Sequence, residues 1–189
     1  GRRQEVVPQA MSIALQQRAQ ELDPLAHPMD LATALLRAGR YDHAAEAALR
    51  SLEFDPNQAR GHSTLGWAYL KMGRPDEGLA ELEKAVGLTP GNTLWLAQLG
   101  QGYAEVNRVG EAREVLRQLQ ELSRTRYVSP YHMAYVYTGL GEQDQAIDWL
   151  ERAYQERAGA VYGIKGSFLF ASLRSHPRFK ALLMRMNLA

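Results

Sequence analysis

The chain has 189 residues and no cysteine. Disulfides, thiolate nucleophiles and cysteine-bound metals are therefore excluded. No apolar run approaches the roughly 18 residues of a membrane-spanning helix. The opening stretch, GRRQEVVPQAMSIALQQRAQ, is too polar for a signal peptide and lacks a small-residue cleavage pattern. No nucleophile elbow of the G-x-S-x-G type occurs. Gly100-x-Gly102 lacks both a third glycine at the right place and a preceding strand. In GIKGS, Gly163 to Ser167, the lysine precedes the second glycine, against the phosphate-loop order. His27, His43, His62, His132 and His176 show neither i, i+4 pairing nor a flanking carboxylate motif, so no zinc site is expected. Asp76-Glu77 and Glu81-x-Glu83 read as solvated carboxylates near a helix start rather than as an acid–base pair. No enzyme activity and no cofactor are expected.

What is present is ordinary globular composition, 46% hydrophobic and 23% charged. The net charge of +1 hides an asymmetry. From Arg157 onward there are six Lys or Arg residues and no Asp or Glu, while the rest is mildly acidic. Such a basic end, with Arg174, Arg178, Lys180 and Arg185 at its heart, can attract an acidic partner. Lack of cysteine fits a cytoplasmic location. It fits a periplasmic one equally well if an anchor lies upstream.

The dominant feature is self-similarity at a step of 34 residues. One column reads Leu31, Leu65, Leu99, Met133; a second reads Leu35, Tyr69, Tyr103, Tyr137. Gly39, Gly73, Asn107 and Gly141 form a third, and Ala44, Gly78, Ala112 and Ala146 a fourth. Within one unit, Leu65 and Tyr69 share a helical face. Gly73 can end that helix in a left-handed conformation. Pro75 suits the first turn of the next helix, because its missing N–H would be unpaired there. Gly78, Leu82 and Ala85 then make the stripe of a second amphipathic helix. Gly66 and Gly78 mark where the two helices approach closely. Thr89-Pro90-Gly91-Asn92 stops the second helix, and Ser129-Pro130 is expected to cap and start another.

These residues resemble the tetratricopeptide repeat, most closely at Leu65-Gly66-x-x-Tyr69 and Leu99-Gly100-x-x-Tyr103. The resemblance implies an all-α, right-handed α-solenoid of antiparallel helix pairs. Four repeats are expected at 25–58, 59–92, 93–126 and 127–160. Residues 1–24 read as a partial repeat, its second helix only, which suggests a longer parent chain and leaves an apolar face open to a second copy. The third repeat lacks its closing proline, so its second helix is expected to run longer. Residues 161–189 depart from the period and read as a C-terminal cap. In it, SHPRFKALLMRMNLA forms a short helix capped by Ser175, with Phe179, Leu182, Leu183 and Met186 on one face.

The resemblance further implies that the first helix of each pair lines a concave groove for a protein or peptide. By register the groove residues are Arg37, Arg60, Ser63, Trp67, Lys71, Gln98, Gln101, Glu105, Tyr131 and Tyr135. The alternative for Trp67 and Tyr135 is packing against the next repeat. Relatives that clamp a chaperone's C-terminal carboxylate use Lys, Asn and Arg at positions held here by Met29, Thr33, Thr64, Leu94 and Gln98, so no carboxylate clamp is expected. Over 126–188 the chain also resembles the repeat end of large bacterial regulators carrying winged-helix, Ser/Thr kinase or cyclase domains. That group carries acidic residues where this chain reads GSFLFASLRSHPRF. Contact with nucleic acid through the basic cap is the rival reading. The shortness of the cluster and its lack of exposed aromatics for base stacking argue against it.

Overall fold

A computed structural model describes residues 28–188. The expected partial repeat at 1–24, the dimer contact assigned to it, and His27 lie outside the described residues. Among the described residues nine α-helices run in chain order: α1 (Pro28–Arg37), α2 (Tyr41–Phe54), α3 (Ala59–Lys71), α4 (Pro75–Leu88), α5 (Thr93–Glu105), α6 (Val109–Ser123), α7 (Pro130–Gly139), α8 (Gln143–Gln155) and α9 (Pro177–Arg185). Two 3-10 turns, Gly159–Gly163 and Phe168–Leu173, stand between α8 and α9. There is no strand among the described residues, and the fold is all-α. The described residues up to Pro90 form one compact unit and those from Gly91 a second.

In the first unit α1 packs on α2, α3 on α4, and α2 on α3. The connections within a pair are short, which forces antiparallel neighbours. Each is made by a residue that accepts positive φ: Gly39 at 76° and Gly73 at 75°. The amide of Arg74 donates to the carbonyl of Tyr69 at 2.9 Å, so the chain turns while an end-of-helix carbonyl is satisfied. Pro75 then opens α4 as expected. A Cβ on Gly66 would stand 2.8 Å from the Gly78 carbonyl oxygen and 2.9 Å from Leu82. The close approach read from the two glycines is thus a backbone-to-backbone contact.

The second unit repeats the scheme with α5 on α6, α5 on α7, and α7 on α8. Asn107 (φ 62°) and Gly141 (φ 74°) take the turn positions. Asn, with a short polar side chain, is among the few other residues that visit this region. Asn92 caps α5, its side chain accepting from the Leu94 amide at 3.0 Å. Leu119, Ile147 and Leu150 are fully buried in the core of this unit.

Two helix starts differ from the sequence reading. Ser129 holds the N-cap position of α7, yet its side chain makes no capping bond; its carbonyl accepts from His132 N instead. With Pro130 first in the helix, one orphan donor is already missing, and less is left to cap. The last helix is capped by His176 and not by Ser175. It begins at Pro177, so the flanking residue is the histidine, whose Nδ1 accepts from the Arg178 amide at 3.3 Å. Phe179, Leu182 and Met186 are buried on one face, and Leu183 is half-buried.

Candidate functional site

The residues assigned to the groove divide sharply by burial. In the first unit Arg37 and Arg60 are exposed and Lys71 is half-buried. Arg60 bonds Asp30 at 3.0 Å and the Thr33 hydroxyl at 3.1 Å. Ser63 and Trp67 are buried; the Trp67 ring carries the Lys71 ammonium 5.7 Å from its centroid. In the second unit Glu105 is exposed and Gln98 half-buried, whereas Gln101, Tyr131 and Tyr135 are buried.

The second unit supplies the cause of that burial. The turn Phe168–Leu173 packs on α7 and inserts Phe170, fully buried, against Tyr131 and Tyr135. Its ring stacks on Tyr135 with centroids 5.0 Å apart and planes 13° from parallel. It meets Tyr131 edge-on at 5.3 Å, and Tyr131 meets Tyr135 edge-on at 4.9 Å. These are the offset and T-shaped geometries that aromatic quadrupoles favour. Gln101 Nε2 donates to the Leu169 carbonyl at 2.7 Å, and Gln143 Nε2 to the Ser172 carbonyl at 3.2 Å. Gln101 Oε1, equally buried, receives no hydrogen bond.

The basic cap is less free than its charge suggests. Arg178 donates to Asp148 at 2.6 Å, to Glu151 at 3.1 Å and to Asp144 at 3.4 Å. The bond to Asp148, then that to Glu151, raises the guanidinium's affinity for its proton further. Arg185 reaches Glu151 at 3.8 Å and lies over the Tyr154 ring. Arg174 and Lys180 are exposed. These acidic partners sit on α8, about one repeat upstream, so the count of charges after Arg157 did not reveal them.

Two further features were not anticipated. His62, buried, donates from Nε2 to the Pro56 carbonyl at 2.8 Å and faces Glu81 Oε2 through Nδ1 at 2.5 Å. Register arithmetic places Glu81 on α4 opposite α3, a pairing that a search for local histidine motifs cannot find. The second is a cavity of about 390 Å³ bordered by Tyr127, Val128, Met133, Trp149, Arg152 and Glu156. Arg152 covers the Trp149 ring at 5.1 Å and bonds Glu156 at 2.8 Å, which closes part of its polar rim. Among the described residues no three His, Asp or Glu side chains converge as metal ligands would. No described helix is long and apolar enough to cross a membrane.

Family models for the tetratricopeptide repeat match residues 63–126 and again 131–158. These segments are tetratricopeptide repeats. A crystal structure of a thermophilic TPR protein in Thermus thermophilus aligns with a TM-score of 0.59 at 21% identity, over 76% of this chain and 80% of that one. That likeness establishes the fold. A MamA structure (AMB-1) aligns at 24% identity over 86% of this chain and 99% of its own, with a TM-score of 0.48. Comparison with curated proteins gives no match. Stacked repeats of this kind present extended binding surfaces, and the tetratricopeptide repeats support a scaffold for protein–protein interaction.

Proposed function

We propose that the chain is a non-catalytic scaffold that holds a peptide or protein segment on the first-helix faces of its repeats. The observation that carries this reading is the division within those faces. Arg37, Arg60 and Glu105 are exposed on α1, α3 and α5, next to positions that pack inward. Exposed charged side chains on a rigid helical scaffold are how such a surface selects a partner while its core stays apolar. The resemblance over 126–188 further supports placing these repeats in a larger bacterial regulatory protein, as its docking arm. The carboxylate-clamp positions Met29 and Thr64 are buried, which fits a ligand of another kind.

The test compares two immobilised chains, the native one and an Arg37→Glu, Lys71→Glu variant, each exposed to a bacterial lysate and read by quantitative mass spectrometry. The expected result is a small set of proteins held by the native chain and lost at least fivefold by the variant. Equal capture by both chains would sink the reading. The sequence of the coding region upstream of Gly1 tests the regulator link: a DNA-binding, kinase or cyclase domain supports it, and repeats alone remove it.

A further inference from the structure

The contact between Gln101 and Leu169 spans 68 residues, two full repeats. In a stack of helix pairs each repeat touches only its neighbours, so this contact skips one. The turn Phe168–Leu173 has folded back over the first helices α5 and α7. It is held there as a groove holds a foreign peptide: an aromatic side chain in a pocket, and side-chain amides bonded to its backbone carbonyls. The bonds that lead into it are long, with the Phe170 amide 3.4 Å from the Ser167 carbonyl and the Ser167 amide 3.4 Å from that of Ile164. Phe170 itself has φ −109° and ψ 17°, a break within the turn.

The unmet half of Gln101 shows what the present occupant lacks. A primary amide can grip one residue of an extended chain twice, its N–H donating to the carbonyl and its oxygen accepting from the N–H. Here Nε2 is satisfied and Oε1, buried, is not. A buried acceptor without a donor is costly. An occupant that kept the aromatic ring and the carbonyl but offered an N–H as well would hold better than the 3-10 turn does. We propose that Gln101, Tyr131 and Tyr135 form a binding site for an aromatic residue on an extended peptide, and that the chain's own stretch 167–171 fills it until such a peptide displaces it. The proposal rests on the scaffold reading above, and it adds the ligand's chemistry and the built-in competitor.

The probe is a labelled peptide of the chain's own sequence, KGSFLFASLRS (165–175), added to the full chain and followed by fluorescence anisotropy. In a Phe170→Ala chain the pocket is vacated. That variant is expected to bind the probe at least tenfold more tightly than the native chain. A probe carrying the same Phe170→Ala change should not bind, and adding Gln101→Ala to the variant should weaken binding at least fivefold. A Phe170→Ala chain that keeps its helical circular dichroism but binds the probe no better than the native one overturns the proposal. Where that variant loses its helicity, hydrogen exchange of the native chain decides. Amides 167–171 exchanging at least tenfold faster than those of α7 support a displaceable occupant, and exchange in step with α7 overturns it. Partner capture that depends on Arg37 and Lys71 while the probe is ignored leaves the scaffold reading standing and removes only this proposal.

Discussion

The α3–α4 pair and the stretch between α8 and α9 use the same residue in opposite ways. Gly66 and Gly78 lie where two helix backbones meet, and a methyl group on either would stand under 3.0 Å from a carbonyl oxygen. Gly159, Gly163 and Gly166 have nothing within 4 Å of the place a methyl would take. The pair is therefore specified by how near two backbones come, closer than in the units that carry Ala32 with Ala44 or Ala134 with Ala146 at the same two positions. The later stretch is specified by side chains dropped into pockets: Val161, Ile164, Phe170 and Leu173 are all fully buried. A glycine in register answers a packing demand, as Gly66 and Gly78 do, or a turn of positive φ, as Gly73 and Gly141 do; those of the later stretch meet neither, which leaves the backbone loose between anchors.

The largest expected effect breaks the pair. Gly66→Ala gains about 1 kcal/mol of helix propensity, but the nearest obstructing atom is the Gly78 carbonyl oxygen, which is backbone and cannot swing away. Overpacking against it should leave a net loss of about 2–3 kcal/mol, read as a lower urea midpoint. An unchanged midpoint would show that the helices separate at little cost, and the close approach would lose its role.

The next effect belongs to His132 on α7, half-buried and hydrogen-bonded through Nδ1 to the Thr93 hydroxyl at 2.8 Å. Burial lowers its pKa to about 4, against an ordinary value near 6.5. As pH falls from 6.5 towards 4 the unfolded chain takes up this proton and the folded one does not, so stability declines across that window. A shift of that size corresponds to about 3 kcal/mol, and solvent screening at a half-buried ring should reduce it to about 1.5 kcal/mol. Urea midpoints at pH 7 and 4.5 measure the decline, and His132→Gln should flatten it. The same slope in the variant would move the cause elsewhere.

How far the sequence could be read follows from the range of the contacts involved. Helix ends were legible because their chemistry is local: Gly39, Gly73, Asn107 and Gly141 recur at one step and all take positive φ. The apolar stripes were legible for the same reason, since Leu82 and Ala85 repeat the helical spacing within one element. Gln101, Tyr131 and Tyr135 could be assigned to a helix face by register, yet nothing near them announces that Phe170 will cover them. That contact depends on a stretch with no period, whose two 3-10 turns leave no amphipathic pattern. The ion pairs of Arg178 were hidden likewise, because their acids lie 27 to 34 residues away.

The comparison sharpens at two glycines that both have open space. Gly141 has φ 74° and no atom within 4 Å of its would-be Cβ, so any cost of Gly141→Ala is purely a backbone cost. About 1 kcal/mol is expected, the penalty of an L-residue in the left-handed region. Gly163 is equally open but lies at the end of a 3-10 turn and outside the positive-φ set. There the alanine strains nothing in the folded state and narrows the freedom of the unfolded chain. Gly163→Ala should raise stability by about 0.5 kcal/mol, seen as a slightly higher urea midpoint with unchanged slope. A loss at Gly163 would mean that the turn needs glycine after all, and the looseness assigned to this stretch would have to be given up along with the contrast to Gly66.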